Sequence, residues 1–151
     1  MTKLFDFLNE KNRASIAKES IKIGHVYRMR MDESNGIKPK LGDSFRNKYF
    51  VVLGFDDEGN VYGGVIINSA INLKVPQSVR DWQMPIKCEK YKFLDHDSFI
   101  DCSNLKTANI EKFGYWQFLG SIETEDIEII IRTVQESPNE NKAHLALFGL
   151  V

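Results

Sequence analysis

The sequence predicts a small, mainly β barrel with a helix near each end. Three observations carry this. Short apolar runs with a period of two, separated by Gly-, Asn- and Pro-bearing turns, fill the middle of the chain. Apolar residues at helical spacing recur near the two ends, over residues 2–20 and 124–135. Strands and helices do not alternate as a series of βαβ units would require.

The elements follow in order. Over residues 2–20, Leu4, Phe5, Leu8 and Ile16 recur near helical spacing, Asp6, Glu10, Lys11 and Lys18 lie opposite, and Thr2 is the cap. From Ile21 the period drops to two, with Tyr27, Met29 and Met31 on one face and Arg28 and Arg30 on the other. Residues 32–45 are a loop with turn chemistry throughout: Asn35-Gly36, Pro39 and Gly42-Asp43. A loop of this length in a small domain is uncommon unless it is functional or disordered. Residues 48–55 read as a central strand, 56–60 as a hairpin turn and 61–68 as the return strand, where Gly63 and Gly64 mark a bulge or sharp bend. Residues 72–85, with Trp82 between Pro76 and Pro85, read as irregular. Residues 86–91 and 98–101 are short strands, and Ser103 or Asn104 begins a turn or brief helix through Thr107 to Phe113.

The helix over 124–135 is the clearest. Thr124 caps it, Glu125 and Asp126 suit the positive end of its dipole, and Ile127, Ile130, Ile131 and Val134 form its buried stripe. Pro138 lies just beyond its end. Residues 144–151 close the fold as a strand or a docked tail. The chain therefore divides into a helical extension, 1–20, and one domain, 21–151.

Composition bounds the function. The chain has 151 residues, 42% hydrophobic and 27% charged, and 20 basic against 21 acidic side chains give a net charge of −1. That excludes a disordered polyelectrolyte and a protein that coats nucleic acid by bulk charge. The longest apolar run, 49–55, is far short of the ~18 residues of a membrane span. Asp6 interrupts the place of an apolar leader, so the expected location is the cytoplasm. Cys88 and Cys102 are expected to be reduced thiols. His25, His96 and His144 show no paired-ligand spacing, so no metal is expected. His96, between Asp95 and Asp97, reads as a polar turn before a strand, in preference to an acid–base site. No nucleotide-loop, zincin or hydrolase-elbow motif is present, and no cofactor is expected.

Net charge hides an asymmetry. Lys22 to Lys48 holds seven bases (Lys22, Arg28, Arg30, Lys38, Lys40, Arg46, Lys48) against three acids. Ser121 to Glu140 holds six acids against Arg132. A basic hairpin with a Gly/Pro-bearing loop can meet a phosphate backbone, and Tyr27, Phe45, Tyr49 and Tyr62 can offer stacking faces. The competing reading is a solvated basic face over core aromatics.

The stretch Ile23-Gly24-His25-Val26-Tyr27, a glycine-bearing loop, then Arg46-Asn47-Lys48-Tyr49-Phe50-Val51-Val52-Leu53 resembles the opening of the PemK/MazF toxin family. Tyr62 to Ala70, Phe93 to Leu105, and Gly120-Ser121-Ile122 before the Thr124 helix are similar to later blocks of that family. The likeness spans roughly residues 21–135 and implies an SH3-like barrel with a C-terminal helix, usually a homodimer. It implies metal-independent cleavage of single-stranded RNA, and an antitoxin protein as partner. Arg46 matches the family's catalytic arginine; Ser69, or less well Asn68, falls where its catalytic hydroxyl belongs.

A guanidinium suits the developing charge of a pentacoordinate phosphorane, and a hydroxyl or amide can hold a nonbridging oxygen. Lys38, Lys40, Lys48 and Arg28 are the residues expected to hold RNA, with His25 beside them and available as a base. Asn47 stands where the family has proline, and Asn68-Ser69 where it has Thr-Ser. Those departures motivate the alternative: an inactive barrel of this type that binds protein or nucleic acid.

Overall fold

The computed structural model describes residues 19–151. The expected helix over 2–20 lies outside the described residues except for Glu19 and Ser20, which are helical. Strands β1 (His25–Met31), β2 (Arg46–Phe55) and β3 (Val61–Asn68) form an antiparallel meander. The β2–β3 turn is held by Asp56, whose Oδ1 accepts from the Asn60 and Val61 amides at 2.8 and 3.3 Å. There follow a one-turn helix α1 (Gln77–Arg80), β4 (Gln83–Ile86) and β5 (Ser98–Asn109). A 3-10 turn (Ile110–Tyr115), β6 (Gln117–Ser121), α2 (Thr124–Glu136) and α3 (Lys142–Leu147) complete the chain.

The six strands form one antiparallel sheet in the order β4-β5-β3-β2-β1-β6. The fold is mainly β, as expected. Strand pairing does not close the sheet: β4 and β6 are its two edges and do not pair with each other. Among the described residues no helix is long and apolar enough to cross a membrane. Cys88 and Cys102 are free thiols.

Both faces of the sheet are covered. Alternate residues of β2 feed opposite cores, Val51 and Leu53 on one side, Phe50 and Val52 on the other. A strand buried on both faces needs no polar alternation, which is why β2 reads as a continuous apolar run. The first core packs the sheet against Ile127, Ile130 and Val134 of α2, Leu145 of α3 and Phe148 just past its end. The second gathers Tyr27, Met29, Met31, Phe50, Tyr62, Ile110 and Trp116. As expected, Arg28 and Arg30 are exposed while Tyr27, Met29 and Met31 are buried.

Two glycines allow backbones to meet. A Cβ on Gly64 would stand 1.9 Å from the Val51 carbonyl oxygen, and one on Gly54 2.2 Å from that of Phe148. The expected distortion is present, as register shifts at Val52/Gly54 and at Gly64/Ile66.

The second half departs from expectation. Residues 86–91 are largely turn, whereas 83–86 pair with β5. The turn or brief helix expected from Ser103 is instead the middle of a 12-residue strand. The β5 partner of Gly64 is Lys106 and that of Ile66 is Asp101, so residues 102–105 bulge from the ladder. Tertiary contacts satisfy the bulge: Cys102 N donates to Trp82 O at 3.0 Å, Leu105 N to Glu140 Oε2 at 2.6 Å, and Ser137 Oγ to the Ser103 carbonyl. The closing segment is the short helix α3, not a strand; Asn141 caps it by accepting from His144 N. For α2 the cap position is Glu123, one residue before the expected Thr124.

Candidate functional site

Period two decides which side chains gather. On β2, Arg46 and Lys48 share the face of Phe50 and Val52. The ladder sets Phe50 opposite Ile66 and Tyr49 opposite Ile67, which brings Lys48 beside Asn68. Asp101 of β5 pairs with Ile66 and Phe99 with Asn68; Gln83 of β4 pairs with Asp101. The same sheet face is apolar at one end and polar at the other. Over the polar end opens a cleft of about 550 Å³.

Lys48, Asn68, Gln83 and Asp101 belong to its floor, and Arg46 stands at its β2 end. Gly36, Ile37 and Lys38 form one wall, residues 69–79 another, and the 94–98 loop a third. The first half of the long loop is anchored. Asp32 caps the 3-10 turn Glu33–Asn35, Asn35 Nδ2 donates to Thr107 O at 2.8 Å, and Ile37 is buried. The second half is mostly exposed and carries Lys38 and Lys40.

Lys48 Nζ donates to Asn68 Oδ1 at 2.6 Å. Its ammonium is half-buried, and that burial, reinforced by Arg46, Lys40 and Lys106, pulls its pKa down to about 8 against the opposing pull of Asp101. Asp101 is engaged elsewhere: its Oδ1 accepts from Ser103 N (3.0 Å), Ser103 Oγ (2.5 Å) and Gln83 Nε2 (3.0 Å). Among the described residues no carboxylate lies within 4.0 Å of the charged groups of Lys38, Arg46, Lys48 or Lys106. Such a cluster of unpaired cations around an open cleft presents a site for an anion.

The cleft thus gathers Arg46, Asn68, Ser69, Lys38 and Lys48. Lys40 lies in a neighbouring depression that shares Arg46. Arg28 is not among the lining residues, because on β1 it alternates with Met29, which faces Lys48. His25 is also elsewhere. Arg46 pairs with Met31, and His25 lies at the other end of β1, about 20 Å away at the strand rise. There His25 Nδ1 takes a hydrogen bond from Tyr27 Oη at 3.0 Å and its ring packs on Phe118; burial, then the Lys22 charge, lower its pKa.

Of the four aromatics, Tyr27 and Tyr62 are core. Phe45 lies beneath the Arg30 guanidinium at 4.7 Å, and Tyr49, which borders the cleft, packs its ring against Phe93. Two lining groups escaped sequence reasoning, and of His96 it saw only the turn. Lys106 arrives on the strand read as turn or helix. Gln83 lies in the segment read as irregular. His96 does sit in a turn before a strand, as expected, yet that turn is a wall of the cleft. Its DHD triplet was the one available signal.

Among the described residues no group of three His, Cys, Asp or Glu side chains is arranged to hold a metal ion. Comparison of the chain with models of known protein families finds no match, and comparison with curated proteins finds none either.

Proposed function

We propose that the protein is an endoribonuclease that takes single-stranded RNA into the Arg46–Lys48 cleft and cleaves it without a metal ion. The observation that carries this reading is the convergence of Arg46, Lys48, Lys38 and Lys106 on one open cleft, with no carboxylate among the described residues paired to any of them. A phosphodiester supplies the missing countercharge. Arg46 stabilises the phosphorane with a fixed, forked charge. Asn68 and Ser69, at the end of β3, orient the nonbridging oxygens, and Lys38 and Lys40 hold the strand on either side of Arg46. The reading takes the bent, bulged sheet as an SH3-like barrel of the PemK/MazF type, found as a homodimer and silenced by an antitoxin over the cleft.

The test is incubation with mixed-sequence RNA in EDTA. Discrete fragments ending in cyclic phosphate are expected from the native protein and none from Arg46→Ala. Intact RNA that is nevertheless bound with micromolar or better affinity would establish the second reading, an inactive binding module. That reading draws on the Lys48–Asn68 hydrogen bond, which already occupies the Asn68 carbonyl oxygen.

A further inference from the structure

RNA cleavage by attack of the 2′-hydroxyl needs a base on one side of the phosphorus and an acid on the other. Arg46, Asn68 and Ser69 supply charge and orientation, not a base, and His25, the base expected from the sequence, lies about 20 Å from Arg46 at the strand rise. The cleft holds one imidazole, that of His96 in the 94–98 loop. The side chain is exposed, and its Nδ1 is 3.0 Å from the Asp97 carbonyl oxygen. A carbonyl accepts only, so Nδ1 carries the proton and Nε2 keeps a free lone pair. The neighbouring Asp97 carboxylate is committed to Lys87 and to the Cys88 amide, at 3.3 and 3.1 Å.

The ladder places this loop relative to Lys48. Phe99, just after the loop, pairs with Asn68 on β3; Lys48 stands on the other side of Asn68, on β2. Phe99 and Lys48 thus lie about two strand spacings apart, ~10 Å between backbones, and His96, three residues before Phe99, lines the same cleft of about 550 Å³ as Lys48, which leaves room for a phosphodiester. We propose that His96 is the base and Lys48 the acid of RNA cleavage in this cleft. The assignment rests on the nuclease reading above.

His96 Nε2 takes the proton of the ribose 2′-hydroxyl. The 2′-oxygen forms its bond to phosphorus as the bond from phosphorus to the 5′-oxygen breaks. The leaving oxygen takes a proton from the Lys48 ammonium. The products are a 2′,3′-cyclic phosphate and a 5′-hydroxyl, and water carries the proton from imidazolium back to amine. Lys48 is suited to release a proton, since burial and the cations of Arg46, Lys40 and Lys106 weaken its hold while Asp101 alone opposes them.

The experiment is the pH–rate profile of native, His96→Ala and Lys48→Arg proteins on a short single-stranded RNA, with binding measured in parallel. His96→Ala is expected to lose 10²- to 10⁴-fold in rate with binding within about twofold, to lose the acid limb, and to recover rate when free imidazole is added. Lys48→Arg keeps the charge but loses the alkaline limb near pH 8 expected in kcat/KM, which reports the free protein. If the native protein cleaves and His96→Ala matches it in rate and profile, the assignment fails while the nuclease reading survives. If the native protein leaves RNA intact at every pH, both fall.

Discussion

Lys48 is the side chain on which burial, charge and function bear together. Its ammonium is favoured less in the folded protein than in the unfolded chain, where its pKa is ordinary. Below pH 8 both states hold the proton, and the folded state carries the full cost of a crowded, half-buried cation. As pH rises from about 8 toward 10.5, the folded protein gives up the proton first and that cost disappears. Lys48 therefore makes its contribution to stability more favourable across that window; Lys48→Met should flatten this part of a pH series of urea midpoints. Binding of a polyanion acts with the opposite sign. It restores the charge to Lys48, takes up protons, and should weaken as pH rises through 8. Titration calorimetry of a short RNA in buffers of different ionisation enthalpy reads that uptake directly, and Lys48→Met should abolish it.

Among the strands, β3 shows how far local pattern reaches. Its bounds, 61–68, match those read from the sequence, because its apolar run ends cleanly in Asn68-Ser69 and begins after a Gly-Asn turn. Gly63-Gly64 announced a distortion, but not that one glycine lets the Val51 carbonyl approach. Gly64→Ala puts a methyl where that oxygen and the Phe50 ring already are. The expected cost is about 3 kcal/mol or more, seen as a lowered urea midpoint with little change in slope. By contrast, β5 was not legible beyond residue 101. Its middle, Cys102–Leu105, is a bulge whose polar groups are satisfied by Trp82, Ser137 and Glu140, partners distant in sequence. Asp101 and Ser103 form a local side-chain bond that by itself reads as a turn. For the same reason Lys106 was missed, while Arg46, Asn68 and Ser69 were named by the family resemblance, at the start of β2 and the end of β3, where the strand pattern is legible. His25 failed as a partner of Arg46 because position in an antiparallel hairpin reverses nearness: the start of β1 lies beside the far end of β2.

Across the protein, charge is sorted by sheet face. The cations of the cleft share the face of the second core, whereas α2, with Glu125, Glu128 and Glu136 exposed, covers the first. A net charge of −1 therefore conceals a cationic side and an acidic side. Binding of single-stranded RNA should be salt-dependent in proportion to the cations engaged. With four of them in the cleft, a slope of about −3 in log affinity against log salt is expected, and fluorescence anisotropy between 50 and 200 mM salt measures it. The neutralised Lys38→Gln variant should lower the slope by about 0.7. Pattern on β1–β3, with the clustered bases of 22–48, made the cationic site partly legible. The third wall and the Lys106 side are set by the 94–98 loop and by β5, whose placement depends on the whole sheet. The measurement that bears most directly on the cleft as a nuclease site is cleavage of mixed-sequence RNA in EDTA by the native protein and by Arg46→Ala. Cyclic-phosphate fragments are expected from the first, none from the second, and melting temperatures within a few degrees of each other. Equal cleavage by both proteins, or intact RNA with the native one, would contradict a nuclease role for the cleft.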